Sequence, residues 1–262
     1  MILDEIAAKT RIRIAEKKKQ VPEKDLRERA YKLAIDPTFS FQEALKKQGM
    51  SFVCEVKKAS PSKGVIVQDF PYIRIAQEYE QAGASALSVL TEPYYFKGRD
   101  IFLKEISQKV QIPILRKDFT VDPYMLYEAK VMGASAVLLI CAILTDEELE
   151  EYIKIVKELG MSALVEAHTS GEVKKAVKSG AEIIGVNNRD LQTFQVDLRT
   201  SERLRNLVPE HILYVSESGI KTAEDIGRLK KNRTDGVLIG ETLMRSSDKK
   251  KKLEELKGVR PF

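Results

Sequence analysis

From Ser51 onward, short apolar runs rich in β-branched residues alternate with longer segments of helical periodicity. The runs are SFVCEVK from Ser51, ALSVLT from Ala86, IPILRK from Ile112, AVLLI from Ala136, SALVEA from Ser162, EIIGVN from Glu182, ILYVSE from Ile212 and GVLIG from Gly236. Successive starts lie 35, 26, 24, 26, 20, 30 and 24 residues apart, room for one helix in each interval. Three runs are entered through similar turns, AGASAL at Ala82, MGASAV at Met132 and SGAEII at Ser179, in which a glycine ends the preceding helix left-handed. Strands apolar on both faces are covered on both faces, as in parallel sheets. Eight βα units fit an open doubly wound sheet or a closed barrel. The barrel is preferred, because at least six strands end in polar residues and a barrel gathers strand ends at one mouth. The expected fold is therefore α/β, a (β/α)8 TIM barrel over 51–262 preceded by a helical extension over 1–50, together one domain.

In the extension, Ile2, Leu3, Ile6, Ile12 and Ile14 suggest an amphipathic stripe. Pro22 interrupts it, a second pattern runs to Ala34, and helix continues toward Lys47. Such an appendage either packs on one end of the barrel or covers the site, with packing favoured.

With 43% hydrophobic and 32% charged residues, the 262-residue chain has the composition of a globular protein that can bury a large core. Cys54 and Cys141 both lie in apolar runs, so a disulfide is not expected and a reducing compartment is. There is no apolar stretch at the N-terminus for a signal peptide, nor about 18 apolar residues in a row for a membrane span, which points to a cytoplasmic protein. A net charge of +5 from 44 basic and 39 acidic residues is a weak nucleic-acid signal but suits an anionic small-molecule substrate. The runs Lys17 to Lys19 and Lys249 to Lys252 lack interleaved aromatics and read as solvated faces. A monomer or weak homo-oligomer is expected.

The strand ends carry the candidate chemistry. Glu55 and Lys57, two apart, share a face of the first strand, a pair suited to acid/base work or, more plainly, a barrel-mouth ion pair. The third strand ends in Lys117. The fifth places Glu166 after apolar residues, where burial is expected to raise its pKa, while His168, without an evident partner, reads as structural. Asn187 and Arg189 share a face of the sixth and imply a second anionic group on the substrate. Glu217 and Ser218 precede Gly219, and Gly240 closes the eighth strand. Glycine turns in the last two units, followed by helices at Lys221 and Thr242, are the usual phosphate site of barrels. Ser60, Pro61 and Ser62 either add hydroxyls to that phosphate or form a plain loop. No metal-binding or nucleotide-binding motif appears.

CEVKKASPSKG, LSVLTEPYYFKG, PILRKDF, LVEAH, GVNNRDLQTF, VSESGI and VLIGETLM stand in the order and spacing of the indole-3-glycerol phosphate synthase family, which the chain resembles over nearly all of its length beyond residue 50. The resemblance implies ring closure of 1-(2-carboxyphenylamino)-1-deoxyribulose 5-phosphate with loss of carbon dioxide and water, and no cofactor. It implies Lys117 as the general acid and Glu166 as the acid/base for hydroxyl loss. It further implies that Glu55 and Lys57 orient the substrate and share the dehydration, that Asn187 and Arg189 hold the sugar hydroxyls and the carboxylate, and that Glu217 and Ser218 complete the rim. By the same resemblance Phe96, Phe119, Leu138 and Leu191 are expected to form the aryl slot, and Ser60, Gly219, Gly240 and the amide of Glu241 the phosphate cradle. Many members carry a small hydroxyl residue where Glu241 stands, so its carboxylate is expected to turn away from the phosphate. The rival readings are another phosphosugar barrel enzyme and, from a different class, a nonenzymatic basic binding module.

Overall fold

The computed structural model describes residues 2–190 and 193–258. Eight parallel strands, β1 (Ser51–Val56), β2 (Ala86–Leu90), β3 (Ile114–Lys117), β4 (Ala136–Ile140), β5 (Ser162–Ala167), β6 (Ile183–Asn187), β7 (Leu213–Glu217) and β8 (Gly236–Ile239), close into a barrel in which β1 pairs with both β2 and β8. Each strand begins within two residues of its apolar run. β3 starts two residues later than expected: Pro113 has no N–H for a ladder, although its carbonyl still accepts from the amide of Leu87 at 2.9 Å.

Strand alternation separates two cores. Inward positions such as Val53, Leu115, Leu138, Leu164, Val215 and Leu238 fill the barrel. Outward ones such as Cys54, Leu87, Val89, Val165, Ile184 and Val237 pack under the surrounding helices. Those helices include α4 (Tyr72–Gln81), α5 (Asp100–Ser107), α6 (Tyr124–Val131), α7 (Asp146–Glu158), α8 (Ser170–Lys178), α9 (Arg199–Leu204) and α10 (Ala223–Lys231). Several start on the local chemistry of the loop: Thr145 and Thr222 form capping boxes with Glu148 and Asp225.

The extension forms α1 (Ile2–Gln20), α2 (Glu23–Lys32) and α3 (Ser40–Lys46). It both packs and covers. At the N-terminal end of the barrel, Phe41 and Leu45 of α3 plug the interior core. At the other end Leu3 and Ile6 of α1 line the mouth, and Arg13 reaches the buried carboxylate of Asp118, just after β3, with two contacts of 2.9 Å. The expected stripe needs one correction. Ile6 and Ile14 are buried, but Ile12 is 66% exposed, because the buried residues Leu3, Ile6, Ala7, Thr10 and Ile14 follow steps of three and four and Ile12 falls on the opposite face. An antiparallel two-stranded ribbon, Ala59–Ser60 with Gly64–Val65, follows β1 where only a loop was foreseen. The chain finishes with α11 (Glu241–Met244) and α12 (Lys249–Leu256). Among the described residues no helix is long and apolar enough to cross a membrane.

Candidate active site

At the C-terminal ends of the strands the inward positions change from apolar to ionisable: Val53 gives way to Glu55 and Lys57, Leu115 to Lys117, Leu164 to Glu166, and Val215 to Glu217. The step is two residues each time, so one face of each strand fills the barrel below and furnishes a reactive group above. These groups and Asn187 surround one cavity of about 850 Å³. Lys117 Nζ stands 3.4 Å from Glu166 Oε2 and 3.9 Å from Glu217 Oε2, while Lys57 donates to Glu55 Oε2. Two glycines make room. A Cβ at Gly185 would lie 2.1 Å from Glu217 Oε1, and one at Gly240 would lie 2.1 Å from Glu55 Oε2.

The charges sort themselves by proximity. Burial works against the ammonium of Lys117, but Glu166, Glu217 and Glu55 together raise its pKa, so it stays protonated. Burial pushes Glu166 upward too. Lys117, His168 and a hydrogen bond from Asn187 outweigh it and leave the carboxylate below its ordinary value, reversing the rise expected from burial alone. The raised carboxyl is Glu217, pushed to about 8 by burial and by the neighbouring charge of Glu166. Its Oε1 has no hydrogen-bond partner among the described residues.

One wall is apolar, with Phe96 and Phe119 ring centroids 6.0 Å apart beside Leu138. The buried carboxylate of Glu92 shapes that wall by accepting from the amides of Tyr94, Tyr95 and Phe96 at 2.7–2.9 Å. The opposite wall is backbone: Ser218 and Gly219 after β7 both have positive φ, 68° and 86°, and Gly240 precedes α11. Thr242 Oγ1 donates to the carbonyl of Ile220 at 2.7 Å and ties the two loops together.

The family model for indole-3-glycerol phosphate synthase matches residues 3–256. The chain belongs to the indole-3-glycerol phosphate synthase family. An indole-3-glycerol phosphate synthase from Ruminiclostridium cellulolyticum is 55% identical over 258 residues, covering 98% of this chain and 99% of that protein. Another from Lacticaseibacillus casei is 53% identical over 257 residues, with 98% and 99% covered. Among solved structures, a mutant tryptophan synthase α-subunit from Pyrococcus furiosus aligns with a TM-score of 0.61 at 16% identity, over 79% of this chain and 98% of that one, a likeness of fold alone.

Of the residues expected from the synthase family, every one within the described residues lines the cavity, Ser60, Arg189, Gly219 and Glu241 included; Leu191 lies outside the described residues. Arg189 is steadied by the carbonyl of Phe194 at 3.2 Å, and the carboxylate of Glu241 accepts from Arg245 Nε at 2.9 Å. Sequence reasoning overlooked Arg13, Glu92 and Gly185. The glycine in EIIGVN and the acid in LTEPYYF were visible signals for two of them, but nothing local links Arg13 to a strand 105 residues away. His168 also departs from its expected isolation, as it stands between Glu166 and Glu172.

Proposed function

We propose that this chain closes the indole ring of indole-3-glycerol phosphate from 1-(2-carboxyphenylamino)-1-deoxyribulose 5-phosphate, as a decarboxylating and dehydrating carbon–carbon lyase of tryptophan biosynthesis. The observation that carries the reading is Lys117, held as an ammonium between Glu166 and Glu217 on the floor of a cavity with one apolar wall and one of glycine-rich backbone. A bond forms from the aryl carbon bearing the carboxylate to the ketone carbon, and Lys117 protonates the ketone oxygen as its charge develops. Carbon dioxide then leaves, its bonding electrons restoring the aromatic ring. The new hydroxyl then leaves as water on protonation and the adjacent ring CH2 gives up a proton, forming the indole double bond, with Glu166 as acid/base and Glu55 and Lys57 orienting the substrate and sharing that step.

Asn187 and Arg189 hold sugar hydroxyls and the carboxylate, with Ser218 at the rim and Glu217, placed by resemblance at the rim too, buried on the floor beside Lys117. Phe96, Phe119 and Leu138, with Leu191, take the aryl ring, an apolar slot with a few placed polar groups. Ser60, Gly219, Gly240 and the amide of Glu241 cradle the phosphate, the Glu241 carboxylate being drawn to Arg245 instead. Proton transfer and charge neutralisation suffice, so the reading uses no cofactor. It takes extension and barrel as one domain working in the cytoplasm, where free buried thiols such as Cys54 and Cys141 persist, as a monomer or weak homo-oligomer with no nucleic-acid partner. Purified protein given the carboxyphenylamino-deoxyribulose phosphate should generate indole fluorescence, and Lys117→Ala should lower kcat by roughly 10³-fold. Parent-like turnover by Lys117→Ala would remove the role assigned to it.

A further inference from the structure

The His168 ring, two residues beyond Glu166, lies between two carboxylates. Its Nε2 faces Glu166 Oε1 at 3.6 Å and its Nδ1 faces Glu172 Oε2 at 3.5 Å. Glu172 is fixed independently: its Oε2 accepts the backbone N–H of His168 at 2.7 Å, and its own amide donates to the capping hydroxyl of Thr169 at 3.2 Å. Glu166 thus has each oxygen opposite a different nitrogen, Oε1 to His168 Nε2 and Oε2 to Lys117 Nζ. His168 Nε2 is buried and has no hydrogen-bond partner among the described residues, and the Glu166 carboxylate lies 3.6 Å from it. At 3.6 Å this is a contact of charges, of the kind that shortens when a substrate is bound.

We propose that His168, held by Glu172, is a positioning residue that fixes the orientation and the ionised state of Glu166. This rests on the acid/base role given to Glu166 above. The groups facing the ring are Glu166 from β5, Glu172 from α8 and Glu217 from β7. Beyond Glu166 stand Lys117 from β3 and Asn187 from β6, and on β4's side Cys141 contacts the backbone carbonyl of Glu172. Burial alone would strip the imidazole of its proton. The hydrogen bond to Glu172 and the charges of Glu166, Glu172 and Glu217 prevail and raise its pKa. Without the ring Glu166 keeps Lys117 and the hydrogen bond from Asn187 to hold its proton off, and Oε1 loses the nitrogen that faces it.

The chain has only two histidines, and His211 is exposed, so the full-length protein gives one buried imidazole signal beside an internal reference. In NMR titrations, Glu172→Gln and, separately, Glu166→Gln should each lower the midpoint of His168 while leaving His211 in place. In steady-state assays, His168→Gln should move the acid limb of the kcat–pH profile upward by about one unit, a tenfold loss at a pH on that limb. KM should stay within about twofold of the parent, and His168→Lys, which restores a cation, should bring the limb back. A His168→Gln profile that is scaled down but not displaced means the ring is merely structural and overturns the proposal. So does a His168 midpoint indifferent to Glu166→Gln. If the parent fails to turn the substrate over, it is the assigned reaction that falls, and the titrations still decide whether His168 and Glu166 are coupled.

Discussion

Glu166 and Glu217 are alike in burial and differ in protonation, and a few tenths of an ångström decide which is which. Lys117 stands closer to Glu166, and His168 adds a second cation there, so the proton settles on Glu217. Glu217 in the fold, at about 8, lies above its ordinary 4.5. The stabilisation from the bound proton is complete below pH 4.5 and is lost as pH rises through about 8. Glu217→Gln, always neutral, should therefore gain in Tm relative to the parent when melts are taken from pH 5 to pH 9; a constant difference would show that Glu217 is ionised throughout. Gly185→Ala probes the same carboxyl sterically. Its Cβ would lie 2.1 Å from Glu217 Oε1, so the side chain must move, and a stability loss of about 1–3 kcal/mol is expected together with a fall in kcat. The two-residue spacing made legible that both glutamates face inward. It carried no information about which one the lysine meets.

α1 shows how an element is recruited to a site. Lys117 lies between two buried charged residues: Arg116, bound to Asp100 at 2.9 Å and Glu128 at 2.6 Å, and Asp118, gripped by Arg13 and by Thr91 Oγ1. α1 and β3 are thereby tied by charges withdrawn from water. Removing Arg13 takes two charge-assisted hydrogen bonds from Asp118 and leaves it Thr91, the Phe119 amide and Arg116 at 3.7 Å, so Arg13→Ala should cost about 1.5–3 kcal/mol in urea unfolding and should lower kcat as well. Ile12 and Ile14 provide a comparison within the helix. Ile14→Ala should cost about 2–5 kcal/mol, because its side chain is buried in the core, whereas Ile12→Lys should change stability by less than about 0.5 kcal/mol. Equal losses for the two isoleucines would mean that α1 is rotated from the orientation described. The apolar count alone did not distinguish them; the step of two between Ile12 and Ile14 did, once the helix had a face against the barrel.

Across the whole molecule, stability and chemistry are assigned to opposite ends. Phe41 and Leu45 seal the N-terminal end of the barrel, with Leu45 in close contact with Gly236, while the ionisable groups crown the other. Phe41→Ala should therefore lower stability by about 3–5 kcal/mol and leave KM unchanged, measured by urea unfolding and by steady-state assay at a temperature where the variant stays folded. A large rise in KM would show that the two ends are mechanically coupled. By itself the sequence determined the eight strands and, for at least six of them, the polar residues that end them. Those properties depend on periods of two and 3.6 residues and on glycine turns, all carried by near neighbours in the chain. Only the tertiary structure decided that α1 crosses the mouth, that Glu217 rather than Glu166 keeps the proton, that His168 has partners, and that Gly185 and Gly240 are spaces for carboxylates. The physical reason is distance: electrostatic and steric outcomes turn on ångström separations between strands, and those are set by how the barrel closes and not by any one segment.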